Sequence, residues 1–501
     1  MHAAQSVRKM WAVSAVLFVF SLSLFTWKND FPYYYHVDEP LEALLVLEGA
    51  THFHHPLLMG NFTDLVSRIF QVPRTPQPIV ETGRWCMAVF GAIAVVALAW
   101  LAFRYGGLLA ACAVGFLVAL NPLLIEVTHY YKEDPALLMG LALSFLALVN
   151  FWERPSWKTI GRLGGANALA FSGKYIGIVA VILSVIVMFR VPLRNASIRR
   201  RVGFLLFALA FVAVVFGVNY QLYRGLGVMA GGVGREVVLL DDGGGKSLLT
   251  DKYLSIFLEH TNVVFWFFAG WWCFRVWQTR RVRTLPEYLM ILFPFVFAVM
   301  LSLTPKTAGR YFLPAGAMIC YLTGLGIADF CTQAAGYWKW NNLKKGLLAA
   351  GCIVVACATT GSEVRQTLQA FSRDSRRELA GWLQQHAPPD AIVAQDRRVQ
   401  LAGLFSKETS DRAYTLTQKV LTRNEVADFG SVQELRDQGV GYVAIDAARK
   451  RKAGERRNFY KDLETTGELV WKGGTGPVVV LNPRLELYRL PPISSPGTGV
   501  P

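Results

Sequence analysis

Charged side chains are scarce in this sequence. Only 17% of its 501 residues are Asp, Glu, Lys or Arg, whereas a soluble protein has about 25%. The charged residues are concentrated in short loops between long apolar runs. Of all residues, 53% are hydrophobic. This pattern argues against an ordinary soluble protein and predicts a polytopic α-helical membrane protein.

The cysteines are also not spaced as in disulfide-rich or metal-binding proteins. The seven cysteines form no CxxC pair and no cysteine-rich loop, and all lie in or beside apolar runs. Neither a disulfide framework nor a zinc site is supported. The net charge of +16 does not indicate a nucleic-acid partner, because Lys and Arg cluster at the ends of apolar segments, as membrane topology requires.

The apolar runs predict about eleven membrane spans. Arg8-Lys9 precede the first run, Met10 to about Trp27, and no convincing small-residue cleavage site follows, so an uncleaved helix is predicted. Gly173-Lys174 interrupts the run from Gly161 to Phe189, which predicts two short helices meeting at Lys174 on the outer side. The other spans are predicted at about 84–103, 107–125, 135–152, 202–219, 261–279, 285–303, 311–330 and 346–361.

Basic residues are distributed unequally between alternate loops. If the N-terminus is cytoplasmic, the inner loops contain clusters such as Arg199-Arg200-Arg201 and Arg280-Arg281, while the outer connections contain far fewer cations. The positive-inside rule therefore predicts a cytoplasmic N-terminus. An odd number of spans then places the last part of the chain outside.

From about Ser362 the composition changes to that of a soluble protein. We therefore predict a transmembrane domain over 1–361, with a large first extracytoplasmic loop at 28–82, and a small extracytoplasmic α/β domain over 362–493. Strands are expected at 391–394, 441–445 and 478–481, and the tail 494–501 is predicted to be disordered.

Polar clusters concentrate on the predicted outer face. The first loop contains two predicted interfacial helices, 40–49 and 62–70. It also carries the adjacent acids Asp38 and Glu39, which are costly to place near hydrocarbon. Lys174 adds a cation at the same level, and three further clusters are His52–Leu58, His129–Pro135 and Thr304–Pro314.

This set of residues suits transfer of a sugar from a lipid phosphate to a hydroxyl group. An alcohol must lose its proton as it attacks the anomeric carbon, which calls for a carboxylate base such as Asp38. The leaving phosphate lies at the headgroup level, where Arg310 and Lys174 would stabilise its charge and Tyr311 would add a hydrogen bond. Attack from the face opposite the phosphate gives inversion without a covalent enzyme intermediate.

Each motif also has a structural interpretation. Asp38-Glu39-Pro40 and Glu133-Asp134-Pro135 are both typical of helix starts. Arg310-Tyr311 is typical of a helix anchor at the headgroups. His52, His54 and His55 resemble metal ligands, but interfacial histidines often form only hydrogen bonds, so no metal site is predicted. A lipid or solute transporter is the alternative function, although the sequence has no paired halves and its acids lie in loops.

Six motifs follow one another within about residues 10 to 330. They are Asp38-Glu39-Pro40, His55-Pro56-Leu57, Gly83-Arg84-Trp85, Asn121-Pro122, Gly173-Lys174-Tyr175 and Arg310-Tyr311-Phe312-Leu313-Pro314. Their order resembles the GT-C superfamily of polyprenyl-phosphate-sugar-dependent glycosyltransferases, in the branch of the protein O-mannosyltransferases and aminoarabinose transferases. The resemblance implies a GT-C fold. It also implies that Asp38 is the base or an acceptor-site carboxylate, and that one acid of the second outer loop lines the site. Because Glu133 and Asp134 are adjacent here, both are candidates for that acid.

The sequence therefore predicts an integral-membrane inverting glycosyltransferase with its site on the extracytoplasmic face. Its partners would be a polyprenyl-phosphate-linked sugar, a hydroxyl-bearing acceptor and the bilayer. The resembling branch generally needs no cofactor, while acids this close are compatible with a divalent metal. A glycine-rich segment, Tyr220–His260, is predicted to be a mobile cover. The assigned residues are Asp38 and Glu39 for catalysis, His55, Glu133 and Asp134 for the acceptor pocket, and Lys174, Arg310 and Tyr311 for the donor phosphate.

Overall fold

α-Helices make up most of the protein. The computed structural model describes residues 2–36, 38–49, 55–190, 196–224, 227, 231, 261–278, 284–302, 309–401, 416–450, 456–474 and 482–492. Several sequence predictions lie wholly or largely outside these residues: the cover segment 220–260, His52, His54, the strand at 478–481 and the tail 494–501.

The chain folds into two compact units. The first comprises Met1–Asn29 and Leu41–Val364, and the second comprises Asp30–Pro40 and Arg365–Pro501. The change of unit after Val364 lies close to the boundary predicted after residue 361. The segment Asp30–Pro40 differs from the sequence prediction, which placed all of the first loop with the membrane domain.

The first unit contains most of the helices. They are α1 (His2–Phe25), α2 (Glu39–Glu48), α3 (Leu58–Ile69), α4 (Pro76–Ala119), α5 (Pro122–Thr128), α6 (Asp134–Glu153), α7 (Trp157–Gly173), α8 (Ile178–Arg190), α9 (Ala196–Val218), α10 (Val263–Gln278), α11 (Leu285–Ser302), α12 (Leu313–Tyr337) and α13 (Asn342–Ser372). Short 3₁₀ helices of this unit occur at Tyr175–Gly177, Tyr220–Arg224 and Gly309–Phe312, while the 3₁₀ helix Tyr33–Tyr35 belongs to the second unit.

The helices agree with the predicted spans in position. Within the described residues, six helices are long and apolar enough to cross a membrane, and two more are apolar but shorter. Helix α4 covers most of two predicted spans. Its backbone leaves the helical conformation at Gly107, where φ is +68°, and this kink separates the two spans. Glycine tolerates that conformation because it has no Cβ. The predicted interfacial helices at 40–49 and 62–70 correspond to α2 and α3.

Helices α6 and α7 form a closely packed antiparallel hairpin. A Cβ placed on Gly140 of α6 would lie 2.3 Å from the Cα of Ala170 on α7. A Cβ on Gly173 would lie 2.7 Å from the backbone of Ala136. These glycines therefore let the two backbones approach closely. The hairpin brings the first residue of α6 next to the last residue of α7.

The second unit contains a five-stranded sheet flanked by helices. Its elements after the membrane helices are α14 (Ser375–His386), β1 (Ile392–Asp396), β2 (Lys419–Arg423), α15 (Val432–Asp437), β3 (Val440–Asp446), α16 (Ala447–Lys450), α17 (Arg457–Thr466), β4 (Glu468–Gly473) and β5 (Leu485–Arg489). The strand order is β2-β1-β3-β5-β4. Strand β1 is parallel to both β2 and β3, while β5 is antiparallel to β3 and β4.

Both faces of this sheet are covered. Val443 and Ile445 of β3 pack with residues of α15 and α17, while Tyr442 and Ala444 pack on the opposite side with residues of α14. Alternate residues of a strand point to opposite faces, so a strand buried on both sides is apolar almost throughout. The predicted strands at 391–394 and 441–445 are confirmed as β1 and β3.

Candidate active site

Asp38 and Glu39 lie at the start of α2. Asp38 immediately precedes the helix, and its backbone N–H donates to Nδ1 of His36 at 3.2 Å. Glu39 is the first residue of the helix and is buried. Both acids belong to the second unit, together with the segment Asp30–Pro40.

Glu133, Asp134 and Lys174 form a buried ion cluster in the first unit. Nζ of Lys174 lies 2.7 Å from Oδ1 of Asp134 and 2.9 Å from Oε1 of Glu133. The side chains of Glu133, Asp134 and Lys174 are 2%, 3% and 14% exposed. Glu133 and Asp134, the two candidate acids, therefore contact the same lysine.

Local structure explains why these residues meet. Glu133 precedes α6 and Asp134 begins it, with Pro135 in the first turn, where the missing N–H of proline costs nothing. Lys174 ends α7 in an extended conformation, and a 3₁₀ turn follows it. The break between two short helices predicted at Lys174 is confirmed. Since α6 and α7 are antiparallel, the acids and the lysine lie at the same end of the hairpin.

Three further side chains surround Glu133. Lys132 lies 3.5 Å from Oε2 of Glu133 and 3.7 Å from a carboxylate oxygen of Glu42 on α2. Nε2 of His55 lies 3.7 Å from Oε1 of Glu133. The predicted acceptor-pocket residues His55, Glu133 and Asp134 are therefore close to one another.

Arg310 and Tyr311 approach the cluster from the 3₁₀ helix Gly309–Phe312. Nε of Arg310 lies 3.6 Å from Oδ2 of Asp134. The Lys174 ammonium lies 4.6 Å from the centroid of the Tyr311 ring, a cation–π distance. Arg310 is 28% exposed, twice as much as Lys174. The structure thus brings together the three residues predicted to hold the donor phosphate.

The cluster is held in its charged form. Burial opposes ionisation, but the carboxylates of Asp134 and Glu133 raise the pKa of Lys174 above its ordinary value. For Glu133, burial is likewise outweighed by Lys174, Lys132 and His55, which hold the pKa of the carboxyl group well below its ordinary range. Lys174 and Glu133 are therefore fixed charges at neutral pH, and their geometry is established before any ligand binds.

Two acids in this region were not identified from the sequence. Glu42 contacts Lys132, and Glu126 of α5 lies near Arg310, where burial raises its pKa to about 7 against the opposing effect of the arginine. Neither has an acid next to it in the sequence, and each is flanked by apolar residues. An isolated acid within an apolar run is the signal that would have identified both.

A cavity of about 240 Å³ lies between α2 and α3 in the first unit. Glu42 and His55 line it together with Asn61, Asp64 and Arg74. Its volume is below the roughly 300–1,000 Å³ typical of sites that enclose a whole small molecule, so it has room for part of a ligand. No group of three His, Cys, Asp or Glu side chains that could hold a metal ion occurs among the described residues.

The chain is similar to a known family and to solved structures. Residues 54–218 match the family model described as dolichyl-phosphate-mannose-protein mannosyltransferase. This region includes His55, Glu133, Asp134 and Lys174. A comparison with curated protein sequences finds no significant match.

Two solved membrane proteins share the fold at low sequence identity. ArnT from Cupriavidus metallidurans, bound to undecaprenyl phosphate, is 14% identical with a TM-score of 0.50; the alignment covers 96% of this chain and 97% of ArnT. The archaeal oligosaccharyltransferase AglB from Archaeoglobus fulgidus, in complex with an inhibitory peptide and a dolichol-phosphate, is 11% identical with a TM-score of 0.54; that alignment covers 93% of this chain and 73% of AglB. These similarities do not favour the transporter alternative. This polytopic membrane chain therefore shares the fold of both proteins, and its residues 54–218 are similar to the mannosyltransferase family.

Proposed function

We propose that the protein transfers a sugar, with inversion, from a polyprenyl phosphate to a hydroxyl acceptor on the extracytoplasmic face of the membrane. The observation that carries this proposal is the contact of Lys174 with Glu133 and Asp134, beside Arg310 and Tyr311. Such a group of fixed, buried charges suits a site that receives a negatively charged leaving group.

The donor phosphate binds on the Arg310 side of the cluster. Arg310 is more exposed than Lys132 and Lys174, the other two cations beside Glu133 and Asp134. Its guanidinium can donate two parallel hydrogen bonds to phosphate oxygens. Lys174 is already held by two carboxylates, so it supplies positive potential and keeps Asp134 in place. The ring of Tyr311 lies next to both cations.

The reaction needs one carboxylate base. The acceptor oxygen bonds to the anomeric carbon while the bond from that carbon to the phosphate oxygen breaks. The electron pair of this bond remains on the phosphate, and the hydroxyl proton moves to the base. Glu133 is a weak base because its pKa is held low by cations. This supports the assignment of Asp38 as the base, with Glu39 as its neighbour in the acceptor region.

The acceptor occupies the side of the site formed by α2 and α3. The 240 Å³ cavity between these helices is lined by Glu42 and His55, and His55 also contacts Glu133. Polar side chains around a partial cavity suit the hydroxyl-bearing end of a larger acceptor, whether protein, lipid or glycan.

Binding of undecaprenyl phosphate tests the donor site. We expect Arg310→Gln to reduce retention of this lipid about ten- to a hundredfold in native mass spectrometry, because a charge-assisted contact is lost. Arg275→Gln is the matched control, since Arg275 is a half-buried arginine that pairs with Asp329 elsewhere in the first unit. Equal retention by both variants and the wild type would contradict the proposed donor site.

Asp38→Asn tests the reaction itself. With a panel of undecaprenyl-phosphate sugars as donors and membrane extract as the acceptor source, this variant should retain donor binding but release undecaprenyl phosphate only at a small residual rate. If Asp38→Asn turned over at the wild-type rate, the assignment of Asp38 as the base would be wrong.

A further inference from the structure

The segment that carries Asp38 is held by the C-terminal part of the chain. The hydroxyl of Tyr35 donates to Oδ2 of Asp374 at 2.8 Å, and the guanidinium of Arg376 stacks on the Tyr35 ring at 4.4 Å from its centroid. Nε2 of Gln400 donates to the carbonyl oxygen of Tyr34 at 2.9 Å. All of these residues belong to the second unit.

The partners of this segment are themselves rigidly placed. Asp374 caps α14, since its side chain accepts hydrogen bonds from the backbone N–H groups of Arg376 and Arg377. Arg376 is 3% exposed and also donates to the carbonyl oxygen of Arg398. Both groups that contact Tyr35 are therefore fixed by the first turn of one helix.

Gln400 has a strained backbone. Its φ is +58°, a conformation that non-glycine residues rarely adopt. Strain of this kind persists only where surrounding structure enforces it, and it occurs preferentially at functional sites. In this conformation the Gln400 side chain reaches the backbone of Tyr34.

The tyrosines are anchored firmly. Tyr34 and Tyr35 are 3% and 4% exposed, and burial, aided by Asp374, raises the pKa of Tyr34 to about 12. The Tyr34 hydroxyl is thus neutral at physiological pH. Asp38 follows Tyr35 by three residues, so its Cα lies within about 11 Å of the Tyr35 Cα. Fixing Tyr35 therefore restricts where the Asp38 carboxylate can be.

The first unit holds the chain on both sides of this segment. Arg84 donates to the carbonyl oxygen of Asn29 at 2.8 Å, and Nε2 of His129 lies 2.9 Å from the carbonyl oxygen of Trp27. On the other side, Glu42 of α2 pairs with Lys132. Between these points in the sequence, Tyr35 bonds to Asp374 and Tyr34 to Gln400, both in the C-terminal part of the chain.

We propose that the C-terminal unit positions the catalytic base, with Asp374, Arg376 and Gln400 acting through Tyr34 and Tyr35 on Asp38. The proposal rests on the proposed function, in which Asp38 is the base. It gives the soluble unit a direct part in the rate of transfer, and it makes these three residues positioning residues.

Two substitutions test this without removing bulk from the core. Tyr35→Phe deletes the hydrogen bond to Asp374 and keeps the ring. Gln400→Gly deletes the bond to Tyr34 and also relieves the backbone strain, so it should not unfold the unit. Tyr442→Phe is the matched control, because Tyr442 lies on β3 of the same unit and packs against Trp382.

The expected result has two parts. Amide hydrogen exchange in a peptide covering residues 30–40 should become faster in Tyr35→Phe and Gln400→Gly but not in Tyr442→Phe. With the panel of undecaprenyl-phosphate sugars, kcat should fall about ten- to a hundredfold in the two variants while the donor KM stays unchanged, since a small displacement of a base is costly.

Combination with Asp38→Asn separates positioning from general stability. If Tyr35 acts only through Asp38, Tyr35→Phe should lower the residual rate of Asp38→Asn no further. The proposal would be overturned if Tyr35→Phe lowered kcat by the same factor in the wild type and in Asp38→Asn. It would also be overturned if kcat were unchanged in Tyr35→Phe and Gln400→Gly. Wild-type turnover by Asp38→Asn would instead show that the base assignment has failed, whatever the effect of Tyr35→Phe.

Discussion

Lys174 is the residue on which the buried charges of the first unit depend. Two buried carboxylates next to each other repel, and each would be costly without a cation. Lys174 contacts both, while Lys132 and Arg310 each approach one of them. Removing any one member leaves a buried charge with fewer partners. The residues of the cluster should therefore be sensitive even to substitutions that preserve shape.

Glu133→Gln should destabilise the protein in a pH-dependent way. We expect a loss of about 3 kcal/mol in the free energy of unfolding at pH 7, because one partner of a buried ion pair is removed. The pKa of Glu133 is lowered in the folded state from an ordinary value of 4.5. Its contribution is therefore fully present above pH 4.5 and is lost as the pH falls through the folded-state pKa. The Tm difference from the wild type should narrow below pH 4.5.

Glu153→Gln provides the control for this measurement. Glu153 ends the same helix, α6, and pairs with Arg104, but its side chain is 38% exposed. Exposed pairs contribute little to stability, so Tm should hardly change at any pH. Equal Tm shifts in the two variants would mean that the Glu133 cluster is no more important than a surface pair.

At the level of elements, the α6–α7 hairpin determines the site geometry. Asp134 begins one helix and Lys174 follows the other, 40 residues later. Their 2.7 Å contact depends on two backbones that approach closely at Gly140 and Gly173. The helices were predictable from the apolar runs, and so was the break at Lys174.

Gly140→Ala should disturb this hairpin. The new methyl group would meet the Ala170 backbone, which cannot move without shifting α7, and such overpacking costs about 1–3 kcal/mol. We expect a lower Tm and weaker retention of undecaprenyl phosphate, since Asp134 and Lys174 would separate.

Gly161→Ala in α7 should have the opposite effect. A Cβ at Gly161 would meet nothing within 4 Å, and alanine favours a helix over glycine by up to about 1 kcal/mol. Tm should rise slightly and lipid retention should not change. If Gly140→Ala and Gly161→Ala had the same Tm and the same lipid retention, close packing at Gly140 would be unimportant.

For the whole molecule, the distribution of basic residues predicts the membrane orientation. The positive-inside rule favours a cytoplasmic location for the connection between α6 and α7, where Arg154 lies in the connection and Lys158 in the first turn of α7. The same argument favours an extracytoplasmic location for the second unit. The proposed transfer reaction requires this orientation.

Thiol labelling of intact cells tests the orientation. Gln433→Cys, at an exposed position on α15, should react with a membrane-impermeant maleimide. Lys158→Cys, at an exposed position on α7, should react only after the cells are opened. The wild-type protein, with its seven native cysteines, gives the background. The reverse labelling pattern would invert the topology and exclude an extracytoplasmic second unit.

The sequence by itself determined the membrane class, the position of the helices and the order of the polar motifs. These follow from local properties, because the length of an apolar run and a break such as Gly173-Lys174 are read from neighbouring residues. It also indicated which cations and acids to consider, including Lys174, Arg310 and the pair Glu133-Asp134.

Only the tertiary structure decided which of these residues meet. It showed that both Glu133 and Asp134 contact Lys174, that Glu42 joins the cluster, and that Tyr35 bonds to Asp374. The last two residues are 339 positions apart. Contacts at such separation depend on how helices and sheet pack in three dimensions. A pattern within a single segment of sequence carries no record of that packing, so the attachment of residues 30–40 to the C-terminal unit could not be predicted.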